Sequence, residues 1–190
     1  NCNITSNYTL YIWYFVGPPG PTSSSDSQNT SEWRMFGRTL NNTRYYPDEV
    51  NMSGFGQLWN FSTGDNVFSS PAVVDGVVYV GSNDSRVYAL NATTGVQIWN
   101  YTTGDKVYST TVVVSDTVYF SSNDNEIYAL NATTGTKIWN YSTGDNVLNH
   151  YAFPVVSEGA LYIGSNDGNI YVLNATTGVK IWNYTTGAAI

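Results

Sequence analysis

Carboxylates at a fixed interval are the residues in this sequence best placed to do chemistry. Asp84, Asp124 and Asp167 each follow Ser-Asn, and Asp65, Asp105 and Asp145 each follow Thr-Gly. Oxygen-rich loops suit calcium. Yet each of these aspartates stands alone beside Asn, Ser or Gly, which is the composition of turns. Their spacing also sets them a whole repeat apart, too far for a catalytic pair. His150 is the only histidine, so no His pair is available for a metal or for most acid/base work. Cys2 is the only cysteine, which excludes an internal disulfide framework and a thiolate zinc site. It could be a free thiol, an intermolecular disulfide or a lipid attachment point. No phosphate-binding glycine loop and no Ser/His/Asp set occurs. The expectation is a non-enzyme with no catalytic residue, no metal and no cofactor.

Asparagine carries the other chemistry. Asn-x-Ser/Thr with x other than Pro occurs at Asn3, Asn7, Asn29, Asn41, Asn51, Asn60, Asn83, Asn91, Asn100, Asn131, Asn140, Asn174 and Asn183, 13 of the 22 asparagines. A sequon is used only at a surface position of a secreted protein. Several of these are repeat copies, and Asn91 has a second reading as the opening residue of a turn. Asn3, Asn7, Asn29, Asn41 and Asn51 lie outside the repeat. Covalent N-glycans are therefore expected, on an extracellular or cell-surface protein. They would also hydrate a surface that is poor in charge, since only 11% of residues are charged.

Composition sets further limits. Lys and Arg number 7 against 14 Asp and Glu, with net charge −7 and a pI near 4.3. An acidic chain without basic runs is not built for nucleic acid. No apolar run approaches the roughly 18 residues of a membrane span. Aromatic residues make up 15% of the chain, including 16 Tyr and 6 Trp. That content argues for a packed core, not disorder.

The elements that position these residues repeat. Leu58-Trp-Asn-Phe-Ser-Thr-Gly64 returns as Ile98-Trp-Asn-Tyr-Thr-Thr-Gly104, Ile138-Trp-Asn-Tyr-Ser-Thr-Gly144 and Ile181-Trp-Asn-Tyr-Thr-Thr-Gly187, at steps of 40, 40 and 43 residues. Each full unit reads as four short strands, near 68–74, 77–82, 86–91 and 96–103 in the first. Val, Tyr and Ile suit a pleated, packed surface. Asp75-Gly76 is a two-residue hairpin signal. Ser82–Ser85 and Asn91–Gly95 are two further turns. Four strands every 40 or so residues make the blade of an all-β propeller.

Ala89-Leu-Asn-Ala-Thr-Thr-Gly95 followed by Ile98-Trp-Asn-Tyr101 resembles the PQQ-like β-propeller repeat. Trp33–Arg44 resembles the segment that opens such propellers. The asparagine-rich form is similar to repeats of archaeal cell-surface proteins. The resemblance covers roughly 33–187. It implies that the repeat tryptophan, here Trp59, Trp99, Trp139 and Trp182, docks between neighbouring blades. Quinoprotein dehydrogenases share this fold. The resemblance implies for them an Asp base, a calcium site and usually a vicinal cysteine pair, and this sequence has no such pair.

Three units do not close a ring, because propellers have roughly 4–8 blades. The outer-strand segment 56–63 adds a fourth unit without its inner partners. Segment 1–17 is read as an N-terminal strand. Leu10, Ile12, Trp13, Tyr14, Phe15 and Val16 make it apolar on both faces, which suits donation to a neighbouring chain. It could equally fold back onto its own chain as a blade strand. Segment 18–32 is a Pro-rich then Ser-rich linker, and 33–190 is the propeller domain. Three outcomes are open. The chain is a fragment of a longer propeller, two chains close one ring, or open arcs join into a filament by a heterologous contact. The expected function is a self-assembling structural protein of a fibril or surface layer. The alternative is a truncated part of a larger cell-surface propeller that binds or scaffolds a protein or glycan.

Overall fold

The computed structural model describes residues 9–13, 57–143 and 153–187, and every regular element among them is a strand. Three four-stranded antiparallel sheets follow one another along the chain. The first blade holds β3 (Ala72–Val74), β4 (Val77–Ser82), β5 (Arg86–Asn91) and β6 (Gln97–Thr102). The second holds β7 (Val112–Val114), β8 (Thr117–Ser121), β9 (Glu126–Asn131) and β10 (Lys137–Ser142). The third holds β11 (Val155–Ser157), β12 (Ala160–Gly164), β13 (Asn169–Asn174) and β14 (Lys180–Thr185). Ahead of them, β1 (Thr9–Trp13) pairs with β2 (Gln57–Ser62).

Local chemistry explains the meanders. The β3–β4 turn places Asp75 and Gly76 at φ 50 and 75, the left-handed pair that a tight hairpin requires. At Asn91, the side-chain Oδ1 accepts hydrogen bonds from the amides of Thr93 and Thr94 at 3.0 and 2.8 Å, and the Gly95 amide donates to the Asn91 carbonyl at 2.8 Å. The first strand is shorter than the 68–74 that the sequence suggests. Pro71 has no amide to give a ladder, and Ser69 instead accepts a hydrogen bond from the Gly81 amide through its hydroxyl.

Strands 77–82 and 86–91 are buried on both faces, and the core lies between blades. Trp59 of β2 packs with Val78, Val80, Tyr88 and Leu90 of the first blade. Tyr79, Val87, Ala89 and Trp99 pack against Val118, Phe120, Tyr128, Leu130 and Ala132 of the second. Tyr119, Ile127, Ala129 and Trp139 meet Leu161, Ile163, Tyr171, Leu173 and Ala175 of the third. Stability in such an array is a sum of neighbour terms.

The N-terminal strand folds onto its own chain. β1 runs against β2 with Thr9 opposite Ser62, Leu10 opposite Phe61, Tyr11 opposite Asn60 and Ile12 opposite Trp59, then slips at Trp13, opposite Gln57. β5 meets β6 with the same steps: Arg86 opposite Thr102, Val87 opposite Tyr101, Tyr88 opposite Asn100, Ala89 opposite Trp99, then Leu90 opposite Gln97. β1 therefore takes the third-strand place of a blade whose outer strand is β2, irregularity included. Tyr14, Phe15, Val16, the 18–32 linker, Cys2 and His150 lie outside the described residues.

Candidate assembly interface

The joint between two blades is built mainly by the outer strand of one and the turns of the next. Trp99 leaves β6 and inserts its ring over Gly135, with Nε1 donating to the Ala132 carbonyl at 2.8 Å. Trp59 does the same with Gly95 and the Ala92 carbonyl at 2.9 Å, and Trp139 with Gly178 and the Ala175 carbonyl at 2.9 Å. These three tryptophans are each 8% exposed. The glycine is the floor of the socket. A Cβ on Gly95, Gly135 or Gly178 would stand 2.5, 2.7 or 2.7 Å from the ring, and all three have φ near +70°.

Tyrosines complete the joint. Tyr79 and Tyr119 donate to the same carbonyls, of Ala132 and Ala175, at 3.3 and 3.1 Å. Each also packs beside its blade's tryptophan, with ring centroids 5.8 and 6.0 Å apart. Two residues after the tryptophan, Phe61, Tyr101 and Tyr141 meet Tyr88, Tyr128 and Tyr171 of the next blade at 5.3, 5.7 and 5.6 Å. Burial pushes the Tyr79 hydroxyl up from 10.0 to about 12, with the Asp116 and Asp75 charges adding to it. Burial raises Tyr119 and Tyr128 as well, and at Tyr128 the hydrogen bond to Asp124 adds to the shift.

The recurring aspartates act here. Asp84 Oδ2 accepts from the Gly64 amide of the preceding unit at 2.7 Å and from the Tyr88 hydroxyl at 2.6 Å. Asp124 repeats this with the Gly104 amide at 2.7 Å and Tyr128 at 2.8 Å. Tyr171 donates to Asp167 at 2.5 Å. Burial opposes ionisation of Asp167, but hydrogen bonds from Tyr171, Asn169 and Ser165 outweigh it and hold its carboxyl below the ordinary carboxylate value. Sequence reading assigned these aspartates to turns, which they do occupy, and missed that Asp84 and Asp124 clasp the blade before. The signal was present: Gly64 and Asp84, like Gly104 and Asp124, are 20 residues apart. Asp65 and Asp105 serve their own turns, with Oδ1 accepting the next amide and the carbonyl accepting from Thr63 or Thr103. Asp145 lies outside the described residues. No group of three or more His, Cys, Asp or Glu that could hold a metal occurs among the described residues.

Trp182 holds the equivalent position on the third blade. It docks on no blade among the described residues: it is 48% exposed, on a strand that is exposed along its whole length. It sits where Trp99 and Trp139 sit, but no Ala-Thr-Thr-Gly turn comes after it within the described residues. Tyr162, the counterpart of Tyr79 and Tyr119, is 38% exposed, and Tyr184, the counterpart of Tyr101 and Tyr141, is 63% exposed. The third blade thus repeats the aromatic half of the joint, with no covering blade among the described residues.

The family model described as outer membrane protein assembly factor BamB matches residues 51–189. The chain belongs to this PQQ-like repeat family. Among curated relatives, the dehydrogenase subunit of the quinone alcohol dehydrogenase of Gluconobacter oxydans is 34% identical over 80 residues, 39% of this chain and 11% of that protein. Its counterpart in Acetobacter aceti is 33% identical over 85 residues, 42% of this chain and 12% of that protein. The PQQ-like blades thus span about a tenth of these curated relatives. Among solved structures, a quinohemoprotein alcohol dehydrogenase from Pseudomonas putida HK5 superposes with TM-score 0.69 at 27% identity, over 81% of this chain and 26% of that one. A europium-containing methanol dehydrogenase gives 0.69 at 24% identity, over 83% and 32%. BamB from Moraxella catarrhalis gives 0.59 at 23% identity, over 68% and 40%. These last two likenesses concern the fold alone.

Proposed function

We propose that this chain is an extracellular, N-glycosylated structural protein that self-assembles through its PQQ-like blades into a fibril or surface layer. One observation carries the reading. The face of the third blade around Tyr162, Trp182 and Tyr184 repeats the face that the first two blades bury in their joints. Burying aromatic side chains of this size contributes several kcal/mol per joint, about 1.5–3 for each large residue. A further blade fits this face, whether of the same chain or of a second copy, and a second copy that offers a blade edge to it would extend the array. The β1–β2 register gives assembly a second route, since β1 of a neighbour could make the same pairs.

The test is cryo-electron microscopy of the native material, paired with a Trp182→Ala variant. Filaments or sheets with blades continuing across chain boundaries are expected, and Trp182→Ala should abolish them while leaving the thermal midpoint of the single chain unchanged. A stable, unassociated monomer at high concentration overturns the reading. The second reading is a part of a larger cell-surface propeller that binds or scaffolds a protein or glycan. Its support is the short share, 26% and 32%, that this chain covers of the superposed dehydrogenases. Closed rings, together with a gene that encodes further blades after residue 190, would favour it.

A further inference from the structure

Eight of the sequons have described asparagines, and the fold sorts them into two groups. Asn60, Asn100, Asn140 and Asn183 occupy one equivalent place on β2, β6, β10 and β14, the outermost strands, and all four are exposed. In a strand, residues two apart share a face. The hydroxyl residue of each of these sequons, Ser62, Thr102, Ser142 and Thr185, is accordingly exposed beside its asparagine. The other four are built into turns. Asn83 is 7% exposed, and its Oδ1 is buried without a hydrogen-bond partner. Asn91, Asn131 and Asn174 are half-buried, and each accepts turn amides through Oδ1.

The outer face has a second peculiarity. Two residues before each rim asparagine stands Leu58, Ile98, Ile138 or Ile181, each about half exposed. Val96 and Val179 lie next to this stripe and are more exposed still. Residues two apart on a strand are about 7 Å apart along it, so a sugar attached at the asparagine reaches the aliphatic side chain beside it. The same strands are the outer edges of their sheets, and unprotected edges pair with foreign strands.

We infer that Asn60, Asn100, Asn140 and Asn183 are the N-glycosylation sites of the described residues, and that their first sugars cover the Leu/Ile stripe and shield the strand edge. The inference rests on the glycoprotein part of the reading above and assigns it to one face. The donor is a lipid-phosphate-linked oligosaccharide. Asparagine Nδ2 forms a bond to the anomeric carbon, the bond from that carbon to the phosphate oxygen breaks, the lipid phosphate leaves, and Nδ2 gives up one proton. The fold also grades Asn100, Asn140 and Asn183. Glu126 accepts hydrogen bonds from both Asn140 and Ser142, and Asn169 from both Asn183 and Thr185, so these two sequons are tied down. No such bridge spans Asn100 among the described residues, and this site is the more fully occupied.

Glycopeptide mass spectrometry of the full chain from its native source tests this, with chymotrypsin and pepsin used because 7 Lys and Arg leave long tryptic peptides. Expected are sugars on the four rim asparagines, higher at Asn100 than at Asn140 and Asn183, with Asn83 bare. Occupancy at Asn83, Asn91, Asn131 and Asn174 equal to or above that of the rim overturns the assignment and leaves the glycoprotein reading standing. No sugar on any sequon overturns both. The fourfold variant N60Q/N100Q/N140Q/N183Q, made in the native host, tests the covering role. It should bind more of an apolar fluorescent dye than the parent and aggregate sooner. Dye binding equal to the parent's overturns that role.

Discussion

Gly135 shows how much one hydrogen atom in place of a methyl group decides. Its φ of +70° is a conformation L residues avoid, and an added Cβ would sit 2.7 Å from Trp99 Cδ2. Both penalties act at once, one of backbone strain and one of overpacking. Gly135→Ala is expected to cost about 2–4 kcal/mol, read as a lower urea midpoint. A parental midpoint would mean that the socket yields and the ring does not fix it. The tryptophans themselves were legible in the sequence, because their spacing repeats and the resemblance supplies their role. The glycine was legible only as a turn residue. Its second task, as the floor under a ring on another blade, depends on a contact 36 residues away and has no local signature. Asp84 and Asp124 likewise read as turn formers and prove to be clasps, and their only signal is the repeated 20-residue offset from Gly64 and Gly104.

Among elements, the turn between the second and third strands of each blade offers a comparison that the protein makes on itself. Ser85, Asn125 and Gly168 hold one equivalent position, with φ of 67, 72 and 78. Serine tolerates this region worst and glycine best. The Ser85 carbonyl accepts from the Thr103 amide and hydroxyl at 2.8 and 3.0 Å, and a glycine keeps that carbonyl. Ser85→Gly is therefore expected to raise stability by about 0.5–1 kcal/mol, seen as a higher thermal midpoint. A lower midpoint would show that the serine side chain matters more than its strain. The strands at 77–82 and 86–91 could be bounded from the sequence, since turn residues flank both. The first strand could not, because its start is set by Pro71 and by the hydroxyl of Ser69, not by any change in apolar pattern. The place of β1 was open between its own chain and a neighbour. The β1–β2 register matches that of a blade, a property of the pair that neither segment carries alone and that serves a strand from either chain.

At the scale of the whole molecule there is no central core among the described residues, only joints in series, and their tyrosines make them sensitive to alkali. Tyr79 is shifted from 10.0 to about 12 by burial, with Asp116 and Asp75 adding. The folded state holds this proton more tightly than the unfolded chain. Its contribution to stability is thus complete below pH 10 and is lost as pH rises from 10 towards 12. The thermal midpoint should stay level up to that range and fall beyond it. Absorbance at 295 nm should show the joint tyrosines ionising only as the fold is lost. Titration in one step at the ordinary tyrosine value would contradict this. Blade number and blade order were legible at this scale, because both derive from the period. Each joint also has unlike halves. One blade lends the indole, and the next supplies the carbonyl and the glycine floor. Such a contact cannot be turned over and still fit. Copies linked through it would all point one way, so the resulting structure would carry a built-in arrow, with ends that differ in chemistry and grow at different rates.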